Sequence, residues 1–411
     1  MSLSTPDSPL ATGRAPEAAA GSPAPLRLPA AVAVAAALAA AIHLVGARAE
    51  PATPLQLSLI LGAAVGFVLQ RARFCFFCIW KDWLDRRDPR GLLGILTALA
   101  VGIAGNTLIY GAWLPDPSGQ RLPPTAHIGP VGPALLLAGV VFGAGMAISG
   151  SCLSAHLYRL GEGSPTAPFA LVGAVAGFVL GFLSWNGLYL AAIVDAPVLF
   201  LPRHLGYAGA LLASLAVLGA LAWWLLKAGR LPEQAEPTPR DPLAAIFLRR
   251  WPAWLGGLFV GLIGTAAYLR LSPLGVTAEI GSRSRQFATG LGWLPSRLEG
   301  LDSFRGCATL VRDALLTPNG LFVASIVAAA FASALAAGEF RPRLPSASQA
   351  VRGLVGGVLL GWGTVFGLGC TVGTLLSGIS AGAVSGWVFA LGLLAGTTVT
   401  LWLGRRLRLL D

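Results

Sequence analysis

Phe366-Gly-Leu-Gly-Cys370-Thr-Val-Gly-Thr-Leu-Leu-Ser-Gly-Ile-Ser-Ala-Gly382 sets five glycines, two serines, two threonines and one cysteine inside an otherwise apolar region. A continuous lipid-facing helix gains nothing from this mixture. A helix broken inside a membrane needs it: glycine permits the turn, and hydroxyls satisfy the backbone groups that the turn frees. The stretch therefore predicts a broken or re-entrant span, with Gly367, Gly369, Thr371 and Gly373 supporting the break around Cys370.

The rest of the chain agrees with a membrane setting. Of its 411 residues, 55% are apolar and only 11% are charged, and the mean hydropathy is +0.72. Soluble domains carry about 25% charged residues. This composition excludes a soluble enzyme, a disordered regulator and a coiled coil. Stretches such as Ala30–Ile42 and Ala208–Leu226 are apolar on nearly every face, whereas barrel strands alternate. The predicted class is an all-α polytopic inner-membrane protein. Ten spans are expected, near 29–46, 54–70, 92–112, 131–149, 167–184, 208–227, 252–269, 319–337, 353–368 and 384–403. Residues 1–28, rich in Pro, Ala, Ser and Gly, form a disordered segment in this reading. The segment 29–53 is an extra first helix and linker, retained rather than cleaved, although Ala47-Arg-Ala49 resembles a signal-peptide site.

The net charge of +11 reads as an orientation signal rather than as a nucleic-acid footprint. Residues 71–90 hold six Lys or Arg, and 228–250, 338–352 and the tail after 403 hold further clusters. Residues 113–130 and 185–207 hold one Arg each. With ten spans these counts alternate, and both termini are cytoplasmic. Residues 270–318 are the exception, with six Arg on the outer side; an extra re-entrant turn would fit there.

The break recurs. Gly139-Val-Val-Phe-Gly143 precedes Cys152 just as Gly357-Val-Leu-Leu-Gly361 precedes Cys370, at a constant offset of 218 residues. Gly62-Ala-Ala-Val-Gly66 precedes Cys75 by the same 13 residues from first Gly to Cys. Gly257-Leu-Phe-Val-Gly261 opens a fourth copy, with Arg270 where the Cys would stand. The chain thus reads as two transporter repeats, 54–227 and 252–405, joined by a cytoplasmic linker at 228–251 and followed by a tail at 406–411. By the span count the halves run in opposite directions, an inverted repeat whose substrate site lies between them.

Each cysteine sits at the start of a short helix, where free N–H groups and the dipole suit an anion and activate a thiol. Cys75, Cys152 and Cys370 are the candidate binding residues, supported at the second break by Gly150 and Ser151. Cys78 and Cys307 are accessory candidates. Cys75-x-x-Cys78 lacks a second pair or a His for zinc. No triad order, carboxylate pair, phosphate loop or dinucleotide fingerprint is present, so neither catalysis nor a cofactor is expected. His43 and His127 are placed at helix ends, His204 in an external loop, and His156 in a structural role.

Three segments resemble the YeeE/YedE sulfur-transport family of bacterial membrane proteins: Gln70-Arg-Ala-Arg-Phe-Cys75; Gly150-Ser-Cys152-Leu-Ser with Tyr158-Arg-x-Gly-Glu-Gly163; and Gly367 through Trp387. The resemblance covers about residues 55–405. It implies a permease in which cysteines along a constricted path, here Cys75, Cys152 and Cys370, hand thiosulfate or a related sulfur anion inward by S–H hydrogen bonds. The partners it implies are the small anion, membrane lipid and a cytoplasmic sulfurtransferase-like protein, with no nucleic acid. The added length, including Cys307, resembles a longer branch linked in part to selenium metabolism. A selenium species or polysulfide as cargo therefore stays open, as does a membrane thiol carrier or enzyme forming persulfides. The charge pattern makes one direct prediction. Reporter fusions after Arg86 and after Arg341 will report the same side of the membrane, and opposite sides would refute the inverted arrangement.

Overall fold

The computed structural model describes residues 27–48, 52–231, 242–309, 314 and 316–409. Nearly all of the segment expected to be disordered, part of the 228–251 linker and the last two residues of the tail lie outside these. The described chain folds into helices α1 (Arg27–Arg48), α2 (Ala52–Ala72), α3 (Phe76–Arg86), α4 (Arg90–Trp113), α5 (Pro133–Ser149), α6 (Leu153–Gly161), α7 (Ala167–Ala192) and α8 (Leu201–Ala228). They continue with α9 (Pro242–Phe247), α10 (Ala253–Arg270), α11 (Ala278–Gly290), α12 (Pro318–Ala336), α13 (Ala347–Phe366), α14 (Thr371–Ser380) and α15 (Val384–Arg406). Among the described residues there is no strand. Among the described residues, nine helical segments are long and apolar enough to cross a membrane, and α13 with α14, bent by 42°, makes a tenth. The protein is a multi-pass, all-α membrane protein.

Four units share one design. A long helix, a break and a short helix lead to a second long helix: α2–α3–α4, α5–α6–α7, α10–α11–α12 and α13–α14–α15. The units pair crosswise. The crosswise contacts are α2 with α12, α10 with α4, α5 with α15 and α13 with α7, and the first helices α5 and α13 also pack on each other. Each contact is made by the Gly-x3-Gly pair of the first helix. Gly62 and Gly66 lie against Phe322 and Ile326, and Gly257 and Gly261 against Gly94 and Ala98. Gly139 and Gly143 lie against Phe389 and Leu393, and Gly357 and Gly361 against Ala170 and Ala174. A Cβ added at Gly139 or Gly261 would stand 2.7 or 2.8 Å from a partner carbonyl oxygen. Helices in lipid associate mainly by such close backbone packing, because lipid tails leave apolar burial little to add.

Hydrogen bonds between connections show the direction of each unit. The Trp251 N–H, just before α10, donates to the Arg71 carbonyl at the end of α2 at 3.0 Å. Arg352 Nε, early in α13, donates to the Ile148 carbonyl at the end of α5 at 3.3 Å. First helices of related units therefore run antiparallel, and the repeat is inverted. The basic connections gather at one end, where Arg405 Nη2 meets Asp85 Oδ1 at 2.7 Å and the Arg230 N–H donates to the Arg87 carbonyl at 2.8 Å. The opposite end collects residues 114–131, 193–207 and 297–305, tied by Val131 N–H to the Pro197 carbonyl at 2.8 Å and Asn186 Nδ2 to the Arg297 carbonyl at 2.9 Å. The outer surface carries lipid-suited side chains such as Leu108, Leu212, Trp223 and Leu391.

A buried polar knot ties the halves together at the basic end. The fully buried Arg71 donates through Nη2 to Glu339 Oε2 at 3.0 Å, through Nε to Gln70 Oε1 at 2.6 Å and through Nη1 to the Phe247 carbonyl at 3.1 Å. Glu339 also accepts from Arg250 Nη2 at 2.8 Å and Gln70 Nε2 at 2.6 Å. Removing one member of a buried pair strands the other charge, at about 3–5 kcal/mol.

Two predictions follow from this packing. Gly361→Leu drives a side chain into the Ala174 carbonyl and will abolish accumulation of folded protein. Gly219→Leu on α8, where a Cβ meets nothing within 4 Å, will accumulate normally. Glu339→Ala will lower the melting temperature of the detergent-solubilised protein clearly more than Arg250→Ala, because Arg250 is partly exposed and Arg71 is not; equal effects would disprove the role of the buried pair.

Candidate functional site

The breaks share a backbone signature. In each of three units, the residue two positions before the cysteine has a left-handed backbone: Arg73 (φ 47°), Gly150 (φ 79°) and Leu368 (φ 56°). Such a residue ends one helix and re-aims the chain. The cysteine then stands in extended conformation as the N-cap of the next helix: Cys75 for α3, Cys152 for α6 and Cys370 for α14. None of the three uses its side chain as a cap. Each thiol is therefore held at a helix N-terminus without being spent as its cap. The first seven residues of α14 are wound as a π-helix, a form often found at functional sites.

Inversion of the repeat sends the breaks toward opposite ends. Toward the basic end, Cys75 lies within thiol reach of both Cys78 and Cys152. Its Sγ is 3.5 Å from Ser151 Oγ, and Cys152 Sγ is 3.4 Å from Ser154 Oγ. Arg159, on α6, donates through Nη2 to Cys78 Sγ at 3.0 Å and through Nη1 to the Gly150 carbonyl at 3.3 Å. Glu162 follows α6, takes a hydrogen bond from Gln70 Nε2 at 3.3 Å, and has its carboxyl pushed above the usual range by burial. Cys78, an accessory candidate from sequence, thus belongs to this cluster. Arg159 was legible only as part of a motif; nothing in its local pattern tells that it reaches a cysteine 81 residues earlier.

Toward the other end, Cys370 lies against the N–H groups of Val372 and Gly373 and beside Cys307 and Thr277. A Cβ at Gly373 would stand 2.7 Å from Cys307 Sγ, so only glycine admits that thiol here. Gly367 closes α13, and a Cβ at Gly369 would meet Thr374 Oγ1 at 2.7 Å. The 270–318 connection is not an outlying loop. It contributes α11 and then folds back, setting Gly306 against Leu368 and the buried Cys307 against Gly373 at the third break. The fourth unit also differs from its expected alignment. Arg270 is simply the last residue of α10, the break extends over 271–277, and the N-cap of α11 is Thr277.

The histidines settle differently from expectation in two cases. His204 lies within the first turn of α8 rather than in a loop. His127 lies in the connection between α4 and α5, not at a helix end, with Nδ1 2.9 Å from the Gly373 carbonyl. A carbonyl only accepts, so the proton sits on Nδ1. His156 is buried on α6 with Nε2 3.1 Å from Ser149 Oγ, holding the second break together. All five cysteines are free, and among the described residues no group of three or more His, Cys, Asp or Glu is arranged to hold a metal ion. Cys75, Cys152 and Cys370 have no exposed surface, and Cys78 is partly buried.

The comparisons with known proteins reach the same segments. A family model described as sulphur transport matches residues 71–399. The chain is 28% identical over 364 residues to the thiosulfate transporter TsuA of Spirochaeta thermophila, covering 84% of this chain and 97% of that one. It is 27% identical over 369 residues to TsuA of Escherichia coli, covering 84% and 93%. A shorter match of 30% over 93 residues, 22% of each chain, links it to the probable transporter YedE of Salmonella typhimurium. The relatives are named as transporters, not enzymes. The family match runs from the end of α2 into α15, with Cys75, Cys152 and Cys370 inside it, and the chain belongs to the sulphur transport family.

Proposed function

We propose that this protein is an inner-membrane permease that imports thiosulfate or a related sulfur-containing anion, with both termini in the cytoplasm. The observation that carries this reading is the placement of two thiol clusters at helix N-termini toward opposite ends of an inverted repeat. Cys370, with Cys307, meets the anion first, and Cys75, Cys78 and Cys152 receive it at the basic, cytoplasmic end. The names of the long relatives support thiosulfate as the cargo.

Thiosulfate has a soft terminal sulfur and a hard, anionic oxygen end. A thiol S–H is a weak donor matched to the first, and helix N–H groups suit the second. Weak sites in series let an ion enter and still leave. Arg159 brings a cation to the thiol cluster at the basic end. Its guanidinium donates charge-assisted bonds, about twice as strong as neutral ones, and it sits at the exit cluster, where it draws the anion off the neutral outer thiols. The chain needs no nucleotide-hydrolysing machinery for this passage, and a cytoplasmic sulfurtransferase-like protein is a suitable acceptor of the released anion.

Two variants test the reading in a strain that depends on this protein for growth on thiosulfate. Cys370→Ala will abolish growth and uptake while the protein still accumulates in the membrane; normal uptake would refute the cysteine path. Arg159→Gln will cut uptake by about tenfold or more, the scale of one charged hydrogen bond, and Arg159→Lys will recover part of it. Uptake by Arg159→Gln at the wild-type rate would remove the cation from the path.

A further inference from the structure

The fourth unit carries a feature that the thiol path does not use. Cys75, Cys152 and Cys370 cap their short helices; the equivalent place on α11 is held by Thr277. A threonine at an N-cap normally turns its hydroxyl inward to accept from the helix's own N–H groups. Thr277 does not: it makes no side-chain cap bond. It has no exposed surface, and its Oγ1 makes no well-aligned hydrogen bond among the described residues, with only the two outer thiols within reach of it. It stands beside both outer thiols, Cys307 and Cys370. Thr371, the first residue of α14, repeats the pattern, fully buried with an Oγ1 that has no partner.

Buried hydroxyls are almost always satisfied, and an exception calls for an explanation. Of the two exceptions here, Thr277 stands beside the outer thiols and Thr371 directly follows Cys370 in the chain. They also lie at the N-termini of two helices, one of 13 residues and the other spanning Thr371–Ser380. Both positive dipole ends thus meet at Cys370. Glu279, in the first turn of α11, does not cancel them. Its Oε1 is bound by Arg283 Nε at 2.7 Å and its Oε2 accepts from Thr317 Oγ1 at 2.5 Å.

We propose that Thr277 and Thr371 form an oxyanion subsite beside the outer thiols, giving hydroxyl donors to the oxygens of the cargo while Cys370 and Cys307 contact its soft sulfur. The inference rests on the permease reading and narrows it. The subsite favours a small anion that carries both a soft terminal atom and oxygens, because oxyanion oxygens accept from hydroxyls more strongly than sulfur does. Thr277 is thereby the functional counterpart of the cysteine that the fourth unit lacks, and Cys307 supplies the thiol from further along the chain.

The test uses the full chain, purified in detergent for thermal unfolding with and without thiosulfate, and in proteoliposomes for uptake. Thr277→Val removes the hydroxyl and keeps the shape. Without thiosulfate its melting temperature will equal or exceed that of the wild type, because an unsatisfied buried group has gone. The shift produced by thiosulfate will shrink, and the KM for uptake will rise by about tenfold or more, as for one lost hydrogen bond to a charged group. Thr277→Ser will restore both, and Thr371→Val will repeat the pattern. A lower melting temperature with an unchanged KM would show a structural hydroxyl and overturn the inference. So would a wild-type KM in both valine variants while Cys370→Ala still abolishes uptake, a result that leaves the permease reading intact. Failure of the wild-type protein to bind or transport thiosulfate would overturn both.

Discussion

Backbone groups inside a lipid bilayer have no water to bond, so a chain may leave the helix there only where protein covers the break. This constraint organises the whole molecule. Four Gly-x3-Gly pairs bring four first helices against the second helices of the partner units, closely enough that a methyl group would not fit. The crossed contacts put each break under cover of the other half. Three of the breaks then use the same left-handed residue two positions before the cysteine. Without the tight crossing, those turns would expose unpaired N–H and C=O groups to lipid.

The breaks put helix N-termini in the interior, and this produces an environment suited to anions with few charges in it. Both thiol clusters draw on backbone dipoles and small hydroxyls. The charges that do occur near the path are arranged unevenly. Arg159 touches Cys78 toward the basic end, and the Arg71–Glu339 knot locks the same end. At the outer pair, Cys307 and Cys370, the nearest polar side chain is the hydroxyl of Thr277. In the proposed transport cycle, this unevenness makes the two clusters different stops.

Much of this was legible in the residues. Span number, helix class and the repeat came from apolar length and the glycine–cysteine spacing, and the basic connections do gather at one end. Two parts of the site were not legible. The pairing of Cys78 with Arg159 depends on the first and second breaks meeting, which no local spacing encodes. The fourth break carries no cysteine and is longer than the others, so alignment by spacing stopped at Arg270. Its true N-cap, seven residues on, is a threonine with no motif around it.

Composition and period determined by themselves that the chain is a bundle of membrane helices with repeated breaks, because lipid solvent leaves an all-helical chain and a few protected turns as the stable solution. Tertiary structure alone decided which breaks meet. Crossed packing of the inverted units brings residues from distant segments together, so Cys307 arrives beside Cys370 and Thr277 faces them both. The physical reason is that helix contacts in the membrane are set by matching backbone surfaces, a property of two helices in register rather than of either sequence read alone.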